Sequence, residues 1–181
     1  FGAFLENSWR LPSRWNGNFG IRFAGLHAAP TTHFFTEPRA TVSFSLSEGS
    51  DITLSYNRMN QLIHQLSNTG TGLITDLWVP VTAQAPAEQA DQLSAAVKKR
   101  IGKQDWYFTA EAFRKWMRSI IAYKEGAAFL VLSDGPTDID WQENITSGRG
   151  WAYGSEWLLE KRKGRVTGWI GYTLSWVIHE F

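Results

Sequence analysis

The stretch HFFTEPRATVSFSLS at residues 33–47 alternates apolar and polar side chains along its whole length. One series is mostly apolar: Phe34, Thr36, Pro38, Ala40, Val42, Phe44 and Leu46. The other series is mostly polar: His33, Phe35, Glu37, Arg39, Thr41, Ser43 and Ser45. A two-residue period places successive side chains on opposite faces of a β-strand. The stretch therefore predicts a long strand with one apolar and one polar face.

The same alternation recurs along the chain and predicts further strands. We expect eight of them, at about residues 1–11, 17–27, 33–46, 52–60, 90–100, 106–121, 151–162 and 166–180. Several exceed the usual strand length of roughly 5–6 residues. Their length matches the about 9–11 residues with which a tilted strand crosses a bilayer. Aromatic residues near the strand ends also suit a strand that faces lipid on one side.

The connections between these strands follow a pattern of their own. Short connections are expected at 12–16, with Asn16-Gly17 as the turn signal, and at 47–51, 102–105 and 163–165. The connection at 28–32 is modest, and those at 61–89 and 122–150 are long. Tight turns on one side and long loops on the other are typical of outer-membrane barrels. We therefore predict an all-β, antiparallel, up-and-down transmembrane β-barrel segment.

Two segments also fit a helical period. In residues 86–101, Ala90, Leu93, Val97 and Ile101 recur at helical spacing, and residues 111–121 contain a similar apolar series. Taken alone, both segments favour helices, which would make the chain an α+β protein. The surrounding array favours strands, because tertiary context overrides local propensity.

Composition excludes several classes of protein. The mean hydropathy is −0.27, and no apolar run approaches the roughly 20 residues of a membrane helix. The absence of cysteine excludes disulfide scaffolds and cysteine nucleophiles. A net charge of +1 gives no basic footprint for nucleic acid. Residue 1 is Phe, and no signal-peptide pattern opens the chain.

The C-terminal third carries a family resemblance. Residues 151–159 (WAYGSEWLL) and 164–175 (GRVTGWIGYTLS) resemble a barrel hairpin of TonB-dependent outer-membrane receptors. Earlier runs are similar to preceding strands of that barrel: 37–39, 55–61, 76–80, 90–92 and 123–127. Their order along one chain makes the resemblance specific, and it covers most of the sequence.

The resemblance implies a barrel of about 22 strands that is closed by an N-terminal plug. Residues 1–181 would be a partial β-barrel domain, an internal segment without its plug. It implies the outer membrane of a Gram-negative bacterium and active uptake of a scarce nutrient, such as an iron chelate, a vitamin or a glycan. The implied partners are outer-membrane lipid, the plug, the TonB energy-coupling complex and a small nutrient ligand, with no cofactor and no enzymatic activity.

Strand parity gives the same expectation of a segment. If strand one runs toward the periplasm, the eighth strand runs outward, and both ends of the chain lie on the extracellular side. Complete barrels usually begin and end on the periplasmic side. Phe181 has the parity of the polar residues Thr173 and Ser175, so we expect a truncation point there.

Charged residues of the polar parity are the first candidate functional set: Glu37, Arg39, Glu111, Lys115, Glu156 and Glu160. Paired carboxylates can act as acid–base catalysts. Here they are interleaved with basic residues, which favours a charge-balanced lumen that meets the plug or a hydrated solute.

The tryptophans form the second candidate set. The expected lipid-interface aromatics are Trp106, Trp116, Trp151, Tyr172 and Trp176, by their position on the strands. Trp78 and Trp141 lie in long loops, and we expect them to contact an external ligand. A sugar-binding lectin is the competing interpretation, because aromatic faces stack on sugars.

Metal chemistry has little support in the sequence. No pair among His27, His33, His64 and His179 has metal-ligand spacing. The carboxylates of residues 134–140 could form a calcium loop, although their spacing departs from the known hand motif.

Two further functions stay open at this level. A self-contained soluble β-sandwich or small barrel could bind carbohydrate if its apolar faces closed on each other. An outer-membrane enzyme would need a Ser–His pair on neighbouring strands, and the strand assignments place none together.

Overall fold

The structure, a computed structural model, describes residues 1–12, 14–28, 30–66, 77–102, 105–124 and 141–181. Ten strands lie in these residues: β1 (Gly2–Arg10), β2 (Trp15–Ala28), β3 (Thr31–Ser47), β4 (Ser50–Gln61), β5 (Ile63–Leu66), β6 (Leu77–Pro80), β7 (Glu88–Ile101), β8 (Trp106–Tyr123), β9 (Ile145–Lys161) and β10 (Gly168–Glu180). A 3₁₀ turn spans Trp141–Asn144.

Eight of the strands form one sheet in the order β1-β2-β3-β4-β7-β8-β9-β10. Every neighbouring pair is antiparallel, so the chain runs up and down across the sheet. The predicted all-β, antiparallel, up-and-down arrangement is confirmed. The sheet is open in the described residues, with β1 and β10 at its two edges.

The helical alternative for residues 86–101 and 111–121 is wrong, because these residues lie in β7 and β8. Leu93, Val97 and Ile101 are spaced by four residues, and an even spacing also keeps side chains on one face of a strand. The spacing alone could not separate the two structures. Pairing with a strand on each side gives both segments their hydrogen-bond partners and decides between them. None of the helices in the described residues has the length and apolarity needed to span a membrane.

The expected turn at Asn16-Gly17 is also wrong. Both residues lie in β2, opposite Arg10 and Trp9, and the bend comes before them, where Arg14 has a φ of 71°. Gly17 serves a different purpose, because the ring of Trp9 lies over it in the space that a Cβ would need. Asn-Gly commonly forms hairpin turns, but here the glycine makes room for a cross-strand aromatic ring.

The register divides the main sheet into two faces. The apolar face, which includes Phe34, Val42, Leu54, Val97 and Trp157, contains most of the exposed large hydrophobic side chains. The polar face contains the opposite parity of each strand. Along β7 and β8, most side chains of the apolar face are exposed and nearly all of those on the polar face are half-buried. This difference indicates a curved sheet in which the polar face is the crowded, concave one.

Small residues on β9 allow the sheet to curve. Gly150, Ala152 and Gly154 occupy successive positions on the polar face. A Cβ at Gly154 would collide with the backbone carbonyl of Leu174, and the ring of Phe113 lies 3.0 Å from the same point. Glycine within a strand often marks such a close approach of backbone.

The substitution Gly154→Ala is expected to destabilise the sheet, because the carbonyl of Leu174 cannot move aside without breaking strand pairing. Overpacking of this kind costs about 1–3 kcal/mol. Thermal unfolding of the chain in detergent micelles, followed by circular dichroism, measures the loss. Gly168→Ala is the matched control, since no atom lies within 4 Å of its Cβ position. Equal unfolding temperatures for the two variants would contradict this account of the curvature.

Candidate functional surfaces

The apolar face presents its aromatic residues in rows across the strands. Trp116 and Trp151 are register partners near one end of the sheet, and Trp106 lies near the other end. Between these two ends, β9 and β10 carry two stacked aromatic pairs: Tyr153 with Trp176 at 5.4 Å and Trp157 with Tyr172 at 5.5 Å between ring centroids. All five residues predicted as interface aromatics therefore lie on the apolar face, and their role at a lipid interface stays a prediction.

The distance between the outer aromatic rows is close to the thickness of a membrane. Trp106 and Trp116 are ten residues apart on β8. At about 3.3 Å per residue this is ~33 Å of strand. A strand tilt of about 40° reduces it to ~25 Å, the height of the apolar band of outer-membrane barrels.

Charged side chains occur on the apolar face only near its two ends, within the described strands of the main sheet. Arg58, Asp91, Arg114, Arg118, Arg149 and Glu180 lie near the end where the chain enters its long connections. Lys99 and Lys161 lie near the end with the short turns, and the Lys161 ammonium is 5.6 Å from the Trp106 ring. The middle of the face is left without charge.

The polar face contains all six charged residues predicted to face the lumen: Glu37, Arg39, Glu111, Lys115, Glu156 and Glu160. Glu37 is the most buried of them, with 9% of its surface exposed. Its carboxylate accepts hydrogen bonds from Arg22 Nη1 at 3.0 Å and from the backbone N–H of Asn60 at 3.1 Å. Arg39 pairs with Glu6 across β1 and β3.

The remaining candidates on this face do not form one site. Glu111 and Glu156 are register partners on β8 and β9. Lys115 lies four residues from Glu111 on the same strand, and Glu160 accepts a hydrogen bond from Arg162 at 2.8 Å. These groups are spread along a wall and are not gathered around a point where a substrate could react. The arrangement suits a hydrated, charged surface better than acid–base catalysis.

A small hairpin that the sequence interpretation missed covers the end of the sheet with the long connections. β5 and β6 pair over Ile63–Leu66 and Leu77–Pro80, within the connection expected to be a plain loop. Leu66, Val79, Ala85 and Ile145 form a buried cluster beneath the hairpin. The sequence contains no signal for β5, because Ile63, His64, Gln65 and Leu66 read apolar, polar, polar, apolar and the buried positions are His64 and Leu66.

The two loop tryptophans have different surroundings. Trp78 lies on β6 with 64% of its surface exposed. Trp141 begins the 3₁₀ turn and packs against the buried cluster of the hairpin. Trp78 is therefore available to a ligand, whereas Trp141 contributes to holding the hairpin on the sheet. Ligand contact by either residue stays a prediction.

A cleft of about 450 Å³ lies between the hairpin and the link from β2 to β3. Polar groups converge on it from His33, Thr82, Gln84 and Gln142. Thr82 Oγ1 donates to Gln142 Oε1 at 2.8 Å, which joins the segment after β6 to the 3₁₀ turn. A concave space with a few polar groups is a general property of small-ligand sites.

Histidines occupy separate places in the described structure. His27 Nδ1 lies 2.9 Å from Thr32 Oγ1, and the His33 ring stacks on Phe35. No three His, Asp or Glu side chains in the described residues come close enough together to hold a metal. The carboxylates of residues 134–140 lie outside the described residues, so the calcium-loop hypothesis stays a prediction.

His64 is the titratable group that the hairpin buries most completely. Only 3% of its surface is exposed, and its Nε2 has no hydrogen-bond partner. Burial lowers the pKa of the imidazole, and a hydrogen bond with the backbone of Pro86 opposes that shift only in part. The neutral ring is therefore the form that the folded hairpin accommodates.

Comparison with known proteins identifies the fold. The chain is similar to the FrpB iron transporter from Neisseria meningitidis: the F5-1 variant in its apoprotein form gives a TM-score of 0.67 at 14% identity. The F3-3 variant of the same transporter gives 0.65 at 13% identity. Both alignments cover 98% of this chain, but only 26% and 25% of the transporter chains. The chain thus spans about a quarter of their length.

No family model matches the sequence, and no curated protein matches it. The likeness is therefore one of fold. The chain folds like a segment of this transporter, and the predicted all-β, antiparallel, up-and-down fold is confirmed.

Lowering the pH is expected to loosen the β5–β6 hairpin. In the open hairpin, the imidazole of His64 takes up a proton below about pH 6.5, the ordinary pKa of histidine. In the closed hairpin, the buried imidazole takes up a proton only at a lower pH, so the free energy of opening the hairpin falls as the pH falls. Above that pH the stability is fully present. Hydrogen exchange of the β5 amides at pH 7.5 and 5.5, corrected for intrinsic rates, measures the change.

The variant His64→Gln should remove this pH dependence, while His33→Gln should retain it. If the exchange of β5 in His64→Gln keeps the same response to pH, His64 is not its cause.

Proposed function

We propose that this chain forms part of the wall of a transmembrane β-barrel in the outer membrane of a Gram-negative bacterium. The barrel would belong to a receptor that takes up a scarce nutrient with energy delivered through TonB. One observation carries the proposal: a continuous, exposed apolar face, about as tall as a bilayer between its outer aromatic rows. The match of fold to an iron transporter supports it.

A membrane is the environment that fits the apolar face. Side chains in its middle are largely exposed, such as Leu54 at 56% and Val97 at 46%. Exposed apolar patches of this extent mark an interaction surface or a membrane-facing one. The competing soluble sandwich needs a second sheet over this face, and the described residues provide only the small β5–β6 hairpin near one end.

The polar face would line the interior of the barrel. Pairs such as Arg22–Glu37 and Arg39–Glu6 keep its charges balanced while leaving them partly solvated. Such a wall can face either a plug domain or a hydrated solute. No covalent chemistry is required of these residues, so we propose a transport role and not an enzymatic one.

Iron, free or as a chelate, is the nutrient we favour, because the structures of similar fold are iron transporters. A vitamin or a glycan are the other members of the proposed class. The cleft beside the hairpin, with the exposed Trp78 on the neighbouring strand, is the place where an arriving ligand would first meet the described residues.

Uptake by the bacterium that carries the gene tests the transport proposal. Deleting the gene should abolish most energy-dependent uptake of radiolabelled ferric chelates by iron-starved cells, and a protonophore should have the same effect on the parent strain. Unchanged iron uptake after deletion, together with lost uptake of a labelled vitamin or glycan, would redirect the substrate. Unchanged uptake of all three classes would overturn the proposal.

Membrane insertion is tested by a pair of adjacent alanines on β7. Ala95 lies in the middle of the apolar face, opposite Leu54 and Ala112, while Ala96 faces the polar side, opposite Glu111. Ala95→Arg should destabilise the folded, inserted state by about 2–4 kcal/mol, the cost of an arginine at the midplane. Ala96→Arg should be tolerated, because it places the charge near a carboxylate. Urea unfolding in lipid vesicles measures both, and equal losses would contradict the assignment of faces.

A further inference from the structure

The apolar face ends in a group of arginines that the transport proposal does not use. Arg118 and Arg149 are register partners on β8 and β9. They lie one row beyond Trp116 and Trp151, toward the end of the sheet where the long connections begin. Their side chains are 61% and 75% exposed. Two like charges directly opposite each other destabilise a sheet unless something compensates them.

Two more arginines belong to the same group. Arg58 lies on β4, opposite Asp91. Arg114 lies on β8, and its guanidinium is 5.2 Å from the centre of the Trp116 ring. In the described part of the chain, Arg114 makes no ion pair. We refer to Arg58, Arg114, Arg118 and Arg149 as the arginine cluster.

Among the described residues, two carboxylates pair with the arginine cluster. Asp91 accepts hydrogen bonds from Arg58 Nε at 2.7 Å and from Arg118 Nη2 at 2.9 Å. Glu180 accepts from Arg149 Nε at 2.9 Å. Counted over these described groups, four guanidinium groups and two carboxylates give a net charge of +2. Arg118 and Arg149 also retain guanidinium N–H groups that point to no described acceptor, since each is fixed through a single nitrogen.

We propose that the arginine cluster binds the phosphate groups of an anionic lipid in the membrane leaflet beside it. The inference rests on the proposed function, since it requires the apolar face to lie in a bilayer. The row of Arg118 and Arg149 then falls just outside the aromatic row, at the depth of the lipid headgroups. Guanidinium groups bind phosphate through paired, charge-assisted hydrogen bonds.

The two ends of the apolar face differ in a way that favours this assignment. At the end with the short turns, Lys99 and Lys161 lie on different strands and are not register partners. Basic pockets near the membrane surface commonly bind lipid headgroups. The arginine cluster offers a surplus of forked donors in one place, whereas the lysine end offers separate point charges. Phosphorylated lipid is therefore expected to be retained at the long-connection end.

The test measures lipid retained by the full chain from mixed detergent micelles. The micelles contain either a diphosphorylated glycolipid or the same glycolipid with both phosphates removed, and bound lipid is counted by native mass spectrometry. The wild-type chain should retain about tenfold more of the phosphorylated form, the ratio that ~1.4 kcal/mol of binding energy gives. R118Q/R149Q should lose most of this preference. K99Q/K161Q removes the same charge from the same face and should keep it.

Three results would contradict the proposal that the arginine cluster binds lipid phosphate. Equal retention of the two glycolipids by the wild-type chain would overturn it, and this comparison needs no variant to fold. A preference that survives in R118Q/R149Q would overturn the assignment to these residues. Saturable binding of inorganic phosphate alone, with no preference between the glycolipids, would show a free-anion site and also overturn it. Insertion into neutral vesicles is measured separately. A chain that fails to insert contradicts the proposed function. A chain that inserts normally but shows no preference for the phosphorylated glycolipid contradicts only the role of the arginine cluster.

Discussion

Backbone hydrogen bonding between neighbouring antiparallel strands is the interaction on which the rest of this structure depends. The pairing β4–β7–β8–β9 satisfies the backbone groups of the inner strands along most of their length. It also sets the register, and a shift of one residue would move every side chain of a strand to the opposite face. The apolar face, the polar face and the aromatic rows all follow from that register.

Separation of the two faces is what connects the fold to the proposed transport. Hydrophobic side chains such as Leu54 and Val97 stay exposed on the less crowded face, while Glu37 is buried among partners on the other. Such a surface lowers the solubility of a protein in water, whereas its contact with the hydrocarbon core of a bilayer is favourable. The same sheet can then offer a hydrated, charged wall to a solute and an apolar one to lipid.

Local sequence was sufficient for most of the long strands and insufficient for the parts that cover them. The long strands other than β7 and β8, and the parity of the residues on them, follow from a period of two. The β5–β6 hairpin did not, because its strands are short and its partners lie far along the chain at Ala85 and Ile145. The packing of Trp141 against this cluster was missed for the same reason, since nothing nearby in sequence reveals the cluster.

The sequence by itself determined the two-faced character of each strand, because alternation is a local property of the covalent chain. Only the tertiary structure decided that β7 and β8 are strands, that Asn16-Gly17 lies within one, and that Arg118 stands opposite Arg149. Each of these depends on a neighbouring strand. For β7 and β8 the neighbour supplies hydrogen-bond partners, for Gly17 it supplies the aromatic ring that needs the space above the glycine, and for Arg118 it supplies the like charge. Such information lies in contacts between residues far apart in the chain, which periodicity does not record.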